Sequence, residues 1–346
     1  MKGLESVKEY YGKVLSTNKD LKTNACCLTD SLPKNIREVL REIHLEVVEK
    51  FYGCGSPIPL ELKGMTVLDL GSGSGRDCYI LSKLVGESGR VIGVDMTDEQ
   101  IEVAKKYTDY HSEKFGYSKS NVQFIKGYIE DLEEIGIASN SIDVVISNCV
   151  INLSPAKDRV FSEIFRVLKP GGELFFSDVF SSRRIPQKLV QDSVLMGECL
   201  SGALYSEDFR RLMGQMNCQD FRVMSKTKIT IQNAEIENLV GNIDFYSITV
   251  RAFKLNLEDR CEDYGQVATY LGSIETSPNS FILDDHHLFE SGKPMAICKN
   301  TAKMLSETRY NKHFKIYGDA LIHFGLFDCS PDSQKNSDVS TTGACC

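Results

Sequence analysis

The chain has 346 residues, of which 42% are hydrophobic and 25% charged, as is ordinary for a globular protein with a sizeable core and room for two domains. Its net charge of -8 and its lack of a long Lys/Arg run argue against nucleic acid or an anionic membrane as partner and favour a small-molecule ligand. The N-terminal sequence lacks the apolar core of a signal peptide, and no segment approaches the roughly 20 apolar residues of a membrane span. We therefore expect a cytoplasmic protein.

The first part of the chain, residues 1–60, has a helical pattern. Apolar residues recur at spacings of three and four in PKNIREVLREIHLEVVEK, which predicts one helix. Gly53 and Gly55 should end that helix, with Cys54 between them.

From Met65 onwards, short β-branched runs alternate with amphipathic segments. This pattern predicts a parallel sheet covered by helices on both faces, with one helix over residues 157–168 that stops at KPGG. The alternation weakens after about residue 180, and a polar segment near residue 260 predicts a boundary before a small α+β domain. The predicted divisions are residues 1–60, 61–180, 181–260, 261–330 and a disordered tail, 331–346.

A glycine loop follows the first strand in VLDLGSGSGRDC. Asp69 ends the strand, and Gly71, Gly73 and Gly75 lead into a helix, where the backbone can approach a ligand closely. The spacing G-x-G-x-G differs from the G-x-G-x-x-G of dinucleotide sites. The next strand ends at Asp95, where an acid can accept two ribose hydroxyls.

This combination, over residues 60–180, resembles the class I S-adenosylmethionine-dependent methyltransferases. The resemblance implies that the glycine loop approaches the methionine moiety, that Asp95 binds ribose, and that Ile129 and Glu130 lie at the adenine with Met96 packed on the ring. Asn148, at the end of the fourth strand, joins this cofactor-binding set. The same glycines would also suit a simple tight turn, and the adenine-site residues would also suit core or surface positions.

The twelve cysteines are a high count, and in a reducing compartment they should be thiols. No C-x-x-C pair occurs, so a zinc ribbon or thioredoxin motif has no support. We expect Cys78, Cys218, Cys261 and Cys298 to be buried thiols that pack as small hydrophobic residues.

Cys149 differs, because in VVISNCVINLSP it follows a buried strand at the sheet edge where ligands of open parallel sheets bind. Taken alone, it is most simply an inert buried thiol. A thiolate is a poor general base but a preferred ligand for soft ions.

Three other segments, FYGCGSPIP, LMGECLSGALY and LKTNACCLTD, together with Cys149 closely resemble arsenite methyltransferases. The similarity continues through CEDYGQVATYLG, LDDHHLFESGKP and HFGLFDC, so it covers nearly the whole chain. It implies that Cys149 and Cys199 bind As(III), that Cys54 joins them, and that an N-terminal cysteine pairs with Cys54 during turnover. The sequence Ala-Cys-Cys leaves Cys26 and Cys27 open for that last role, and the local match favours Cys26.

The resemblance implies S-adenosylmethionine as cofactor, arsenite and methylarsenite as substrates, and thioredoxin or glutathione as reductant. Thiolate-bound As(III) keeps a lone pair, which is itself the nucleophile, so no general base is required. Residues 61–180 would then bind the cofactor, and residues 181–260 would contribute Cys199 to the arsenic site. Two alternatives remain open: a methyltransferase of a small quinone-type or sterol-type substrate, and a thiolate protein that stores heavy metals. His286 and His287 should be structural, since adjacent histidines on a strand point to opposite faces.

Overall fold

The computed structural model describes residues 32–51, 53, 55, 57–190, 192, 195–196, 199–231 and 233–329. The predicted helical character of residues 1–31 and the predicted disorder of residues 331–346 lie outside these ranges. Across the described residues, no helix combines the length and the apolar character needed to cross a bilayer.

An eight-stranded mixed sheet forms the centre of the fold. Its strands are β1 Thr66–Leu70, β2 Arg90–Asp95, β3 Val122–Lys126, β4 Ile142–Asn148, β5 Leu168–Ser181, β6 Leu204–Tyr205, β7 Arg222–Lys228 and β8 Phe245–Phe253. Their order is β3-β2-β1-β4-β5-β8-β7, with β6 beside β5. Strands β1 to β5 pair in parallel, and β6 also runs parallel to β5.

The parallel sheet predicted from the strands up to about residue 180 is confirmed for β1 to β5. Beyond it the sheet continues with β8, which pairs antiparallel with both β5 and β7. Strand β7 reads RVMSKTK and is largely exposed beyond its first residues, so it lacks the apolar run that marked the earlier strands. The sheet therefore extends to Phe253, well past the point where the β/α alternation weakens.

Helices cover both faces of this sheet, and each face has its own buried hydrophobic cluster. The helices are α1 Lys34–Leu40, α2 Leu45–Glu49, α3 Arg76–Val85, α4 Asp98–Lys106, α5 Thr108–Phe115, α6 Lys157–Val167, α7 Gln187–Val190, α8 Ser206–Gln215 and α9 Ala234–Val240, and a 3-10 turn spans Ile151–Leu153. The helix predicted over 157–168 is present and ends at Val167.

The single N-terminal helix predicted from the apolar spacing is wrong, because α1 and α2 are separated at residues 41–44. His44 caps α2, its Nδ1 accepting the Glu46 backbone N–H at 3.2 Å. Its ring stacks on Tyr107 at 3.7 Å, and its backbone N–H donates to His111 Nε2. Contacts with α4 and α5 therefore decide this break, and local helical periodicity does not reveal them.

The C-terminal part of the chain, from β9 onwards, is a small α+β unit with a buried core of its own. Its elements are β9 Glu262–Asp263, β10 Gln266–Tyr270, β11 Ser280–Ile282, β12 Leu288–Glu290, β13 Pro294–Ile297, α10 Lys299–Ser306, a 3-10 turn at Asn311–His313, β14 Phe314–Tyr317 and β15 Gly325–Leu326. Strand β10 lies between β13 and β14, β11 pairs with β12, and β15 pairs with β9.

Buried ion pairs join this unit to the central sheet. Arg251 on β8 contacts Glu173 on β5 at 2.5 Å and donates to the Leu283 carbonyl at 2.7 Å. Arg309 also pairs with Glu173. Removing one partner from such a network would leave a buried charge uncompensated, so the two units are held in a defined arrangement.

The adjacent histidines do not lie on a strand. His286 and His287 occupy a bend, and the Nδ1 atoms of both rings approach Asp284, at 3.4 Å and 2.8 Å. Arg222 also pairs with Asp284 at 2.9 Å. The prediction that the two rings point apart is wrong, but the ion pair with Arg222 gives the group a structural role.

Candidate active site

A cleft with an empty volume of about 990 Å³ opens beyond the carboxyl ends of β1, β2 and β4, where open α/β sheets bind ligands. Its lining, apolar side chains with a few convergent polar groups, suits a small-molecule ligand. Residues predicted for cofactor or substrate that line it are Asp69, Gly71, Gly73, Asp95, Met96, Ile129, Glu130, Asn148 and Cys149.

The glycine loop and the acid after β2 are joined directly. Asp95 accepts the Gly73 backbone N–H at 2.9 Å and the Thr97 N–H at 2.8 Å, one on each carboxylate oxygen. Burial raises the pKa of Asp95, while these backbone hydrogen bonds lower it. Asp95 therefore fixes the loop as well as presenting lone pairs to the cleft.

Gly75 has a different position from the other loop glycines, because it does not line the cleft. It caps α3 with φ of 88°, and a Cβ there would lie 2.7 Å from the Phe124 ring on β3. The residue lets the helix approach the sheet closely. The conformation of Gly75 and its closeness to Phe124 therefore matter for the packing of α3 against the sheet.

Asp69 is a buried carboxyl group at the floor of the cleft. Burial, and secondly the negative charge of Asp77, raise its pKa from 3.8 to about 8. Its Oδ2 accepts the Cys78 thiol at 3.3 Å, so this predicted buried thiol has a polar partner. A cation that binds beside Asp69 would lower this raised pKa and favour the ionised carboxylate.

Polar atoms that sequence reasoning missed also face this cleft. Ser72 and Gln100 both line the cleft. Ser72 Oγ and Gln100 Oε1 are buried and have no hydrogen-bond partner among the described residues. Buried polar atoms are normally paired, so these two fit a ligand that supplies donors and acceptors. Their positions within the loop and on α4 gave no distinctive sequence pattern.

Ile129 and Glu130 form another wall of the cleft, and Met96 also lines it. Both residues after β3 are mostly buried, and Glu130 accepts a hydrogen bond from the Ser154 hydroxyl at 2.5 Å. An apolar surface beside an anchored carboxylate suits a flat heterocycle with amino donors.

Asn148 connects the end of β4 to the segment around Cys54. Its Nδ2 donates to the Gly55 carbonyl at 2.9 Å, and its Oδ1 accepts the Gly55 N–H at 3.2 Å. A Cβ on Gly55 would lie 2.5 Å from Ser177 Oγ, so a larger residue cannot pack there. Cys26, Cys27 and Cys54 lie outside the described residues.

Cys149, which lines the cleft, and Cys199 lie close together. The Cys199 thiol is 3.8 Å from the Cys149 carbonyl oxygen, and both residues are buried with left-handed φ values of 57° and 59°. Such φ values are uncommon for residues other than glycine and cluster at functional sites. Cys149 lines the cleft itself, whereas Cys199 lies behind it.

The sulfur of Cys149 is disulfide-bonded in this structure. Reduction has to precede any binding of a soft ion by Cys149, because a disulfide sulfur carries no thiolate charge.

Comparison with known proteins gives matches over the whole chain. An arsenite methyltransferase of Aquipseudomonas alcaligenes is 50% identical, with 99% of each chain covered, and one of Homo sapiens is 46% identical, covering 90% of this chain and 83% of the human protein. The chain belongs to the arsenite methyltransferase family. A methyltransferase-domain model matches residues 61–217, and a domain of unknown function (DUF8838) matches residues 258–343.

A solved structure agrees with this family. CrArsM, an arsenic(III) S-adenosylmethionine methyltransferase from Chlamydomonas reinhardtii, is 51% identical, with a TM-score of 0.83, covering 86% of this chain and 100% of that chain. The predicted family and the class I methyltransferase fold are thereby confirmed. Membership in the arsenite methyltransferase family does not support the two alternatives, a quinone-type or sterol-type methyltransferase and a metal-storage protein.

Proposed function

We propose that this protein transfers methyl groups from S-adenosylmethionine to thiolate-bound As(III), giving methylated arsenicals. The observation that carries the proposal is the pairing of Cys149, which lines the cleft, with Cys199 behind it, 3.8 Å from the Cys149 carbonyl oxygen. Few methyl acceptors need thiols at that position, whereas trivalent arsenic binds to thiolates by preference.

The cleft fits the cofactor by its donor and acceptor set. Asp69 would face the cationic methionine part, Asp95 the ribose hydroxyls, and Glu130 with Ile129 and Met96 the adenine. The unpartnered Ser72 and Gln100 oxygens add polar contacts in the same cleft. When bound, the cofactor supplies an electrophilic methyl group on a sulfonium.

The arsenic would be held by Cys149 and Cys199, joined by Cys54. The support for Cys54 is that Gly55, next to it in the chain, is bound at both its carbonyl and its N–H by Asn148, the residue before Cys149. Three thiolates form a pyramid around As(III) and leave one lone pair free. The protein then acts by holding that lone pair towards the cleft and by excluding water, and it needs no general base.

Methylation formally oxidises As(III) to As(V), so each turnover needs two electrons. We propose that Cys26 and Cys54 supply them by forming a disulfide, which thioredoxin or glutathione reopens. A pathway through reducible thiols also fits a cytoplasmic location, where thiols are kept reduced. Because the net charge is -8, we propose no nucleic-acid or membrane partner.

A methylation assay tests the proposal. Reduced protein is incubated with arsenite, isotopically labelled cofactor and thioredoxin, and the arsenicals are separated and counted by mass spectrometry. Cys149→Ser and Cys199→Ser should each abolish every methylation step, since a hydroxyl is a poor ligand for a soft ion. Cys218→Ser, which changes a buried thiol outside the cleft, should retain activity. Normal turnover in either of the first two variants would rule out that residue as a ligand.

The electron relay has a separate test. Cys26→Ser and Cys54→Ser should block methylation of arsenite, while methylation of monomethylarsonous acid, which needs fewer thiolates, survives with an external thiol. Cys27→Ser should have little effect. A dead Cys27→Ser variant beside an active Cys26→Ser variant would reverse the assignment of the two neighbours.

A further inference from the structure

Three thiols meet in the C-terminal unit, away from the cleft. The Sγ atoms of Cys261, Cys298 and Cys329 all lie within 4.8 Å of one another, and all three residues are free cysteines. None of them lines the cleft. In the sequence, Cys261 and Cys298 have the pattern of separate buried thiols and Cys329 has no distinctive pattern, so the cluster appears only in three dimensions.

Regular secondary structure brings the three residues together. Cys261 precedes β9 and Cys329 follows β15, and these strands pair antiparallel. The Phe327 N–H donates to the Cys261 carbonyl at 2.8 Å, which continues the ladder towards Cys329. Cys298 caps α10, where its sulfur accepts the Thr301 backbone N–H at 3.4 Å. The arrangement is therefore built on a strand pair and a helix start.

The charge around the cluster is already balanced by other groups. The guanidinium of Arg222 lies beside the cluster, with its Nη2 3.9 Å from Cys298 Sγ. Arg222 is itself paired with Asp220 at 2.7 Å and with Asp284 at 2.9 Å. The positive charge of Arg222 thus faces two carboxylates and offers little compensation for an anionic metal–thiolate complex.

We propose that Cys261, Cys298 and Cys329 form a second binding site for trivalent arsenic, separate from the site of methyl transfer. Arsenous acid, As(OH)₃, would exchange its three hydroxyl groups for the three sulfurs. Three As–S bonds form, three As–O bonds and three S–H bonds break, and three waters leave. No electron is transferred, so no oxidant or reductant is required. The product is neutral, as the balanced charge of the surroundings requires.

Donor number favours arsenic over zinc at this site. Structural zinc sites use four protein ligands, while in the described part of the chain the cluster offers three. Pyramidal As(III) is complete with three sulfurs, and its lone pair takes the fourth direction. A methylated arsenical has fewer hydroxyls to exchange and binds fewer thiols. The site should therefore retain arsenite better than its methylated products, because a methylated arsenical forms fewer As–S bonds with the cluster and binds it more weakly.

Arsenic stoichiometry on the reduced full-length chain tests this site. Protein is equilibrated with arsenite, desalted, and analysed for arsenic per chain, first as wild type and then as Cys298→Ser. The variant should lose about one equivalent of arsenic, in keeping with one soft ion per thiolate cluster, and should still methylate arsenite. Serine is a favourable helix cap, so α10 should remain folded. Cys329→Ser gives a second variant at the exposed side of the cluster, and Cys218→Ser is the matched control that should bind as wild type does.

Other outcomes would overturn the assignment. If Cys298→Ser and Cys329→Ser both bind as much arsenic as wild type, the cluster is not an arsenic site. If zinc(II) binds at this cluster and arsenite does not displace it, the cluster is a zinc site. The proposal does not depend on the cleft thiols: Cys149→Ser should lose its own equivalent of arsenic and all methylation, while the cluster still loads.

Discussion

Replacing Asp69 by asparagine should separate cofactor binding from proton release. The Asp69 pKa is raised to about 8, first by burial and then by the charge of Asp77. At pH 7 roughly nine in ten free molecules therefore carry a proton there. The cofactor brings a sulfonium and an ammonium group, and a cation beside the carboxyl favours its ionised form. Binding at pH 7 should expel about one proton from the Asp69 carboxyl into the buffer.

The sign of the pH dependence follows from that pKa. Below about pH 8 the acid must lose its proton before it can pair with the cation, so cofactor affinity should fall roughly tenfold for each unit of pH lowered. Calorimetry in buffers of different ionisation enthalpy measures the released proton directly. Asp69→Asn should bind more weakly, release no proton, and show no dependence on pH from this group.

The stability of the cofactor-free protein should fall as pH rises, whereas its affinity for the cofactor should rise. An acid whose pKa is raised on folding stabilises the protein below its ordinary pKa of 3.8 and loses that contribution as pH rises to about 8. Asp69→Asn should therefore be more heat-stable than wild type at pH 8, by up to a few kcal/mol in the free energy of unfolding.

The matched control for Asp69 is Asp178→Asn. This second buried carboxyl has its pKa raised to about 7 by burial but does not line the cleft. The control should change stability without changing the proton released when the cofactor binds. The reasoning would be refuted if the enthalpy of cofactor binding to wild type did not depend on the buffer. It would also be refuted if Asp69→Asn still released a proton on binding.

Two further substitutions test the loop. Asp95→Ala should weaken cofactor binding at least about tenfold, since charge-assisted hydrogen bonds contribute roughly 1.5–3 kcal/mol each, and unchanged affinity by calorimetry in a folded variant would contradict the ribose assignment. Gly75→Ala should lower stability by roughly 1–3 kcal/mol through the contact with Phe124 and the left-handed φ. Gly116→Ala has a similar left-handed conformation, with φ of 76° and ψ of 28°, but open space around it, so it should cost less in denaturant unfolding; equal costs would assign the effect to strain alone.

The sequence was informative where the determinants are local. A β-branched strand, a glycine loop and an acid after the next strand were sufficient to predict the parallel sheet and the position of Asp69 and Asp95. Cys149 was placed correctly at the end of β4, because its strand reads as an apolar run. Its pairing with Cys199, 50 residues later, could be anticipated only through resemblance to a family.

The features that escaped prediction depend on contacts distant in sequence. The break between α1 and α2 requires His44 to meet Tyr107. The cluster of Cys261, Cys298 and Cys329 requires two short strands and a helix start to converge, and each cysteine alone has an ordinary environment. Local periodicity cannot report such convergence, because the partners are separated by tens of residues.

X-ray absorption at the arsenic edge tests most directly whether the cleft thiols hold the arsenic. The measurement uses the reduced Cys298→Ser protein, so that the C-terminal cluster does not contribute. We expect about three sulfur neighbours per arsenic in that protein, because a soft ion prefers thiolate ligands. Adding Cys199→Ser or Cys149→Ser should remove at least one sulfur or the arsenic altogether, while adding Cys218→Ser should change nothing. An unchanged set of sulfur neighbours after loss of both Cys149 and Cys199 would contradict the proposed site of methyl transfer.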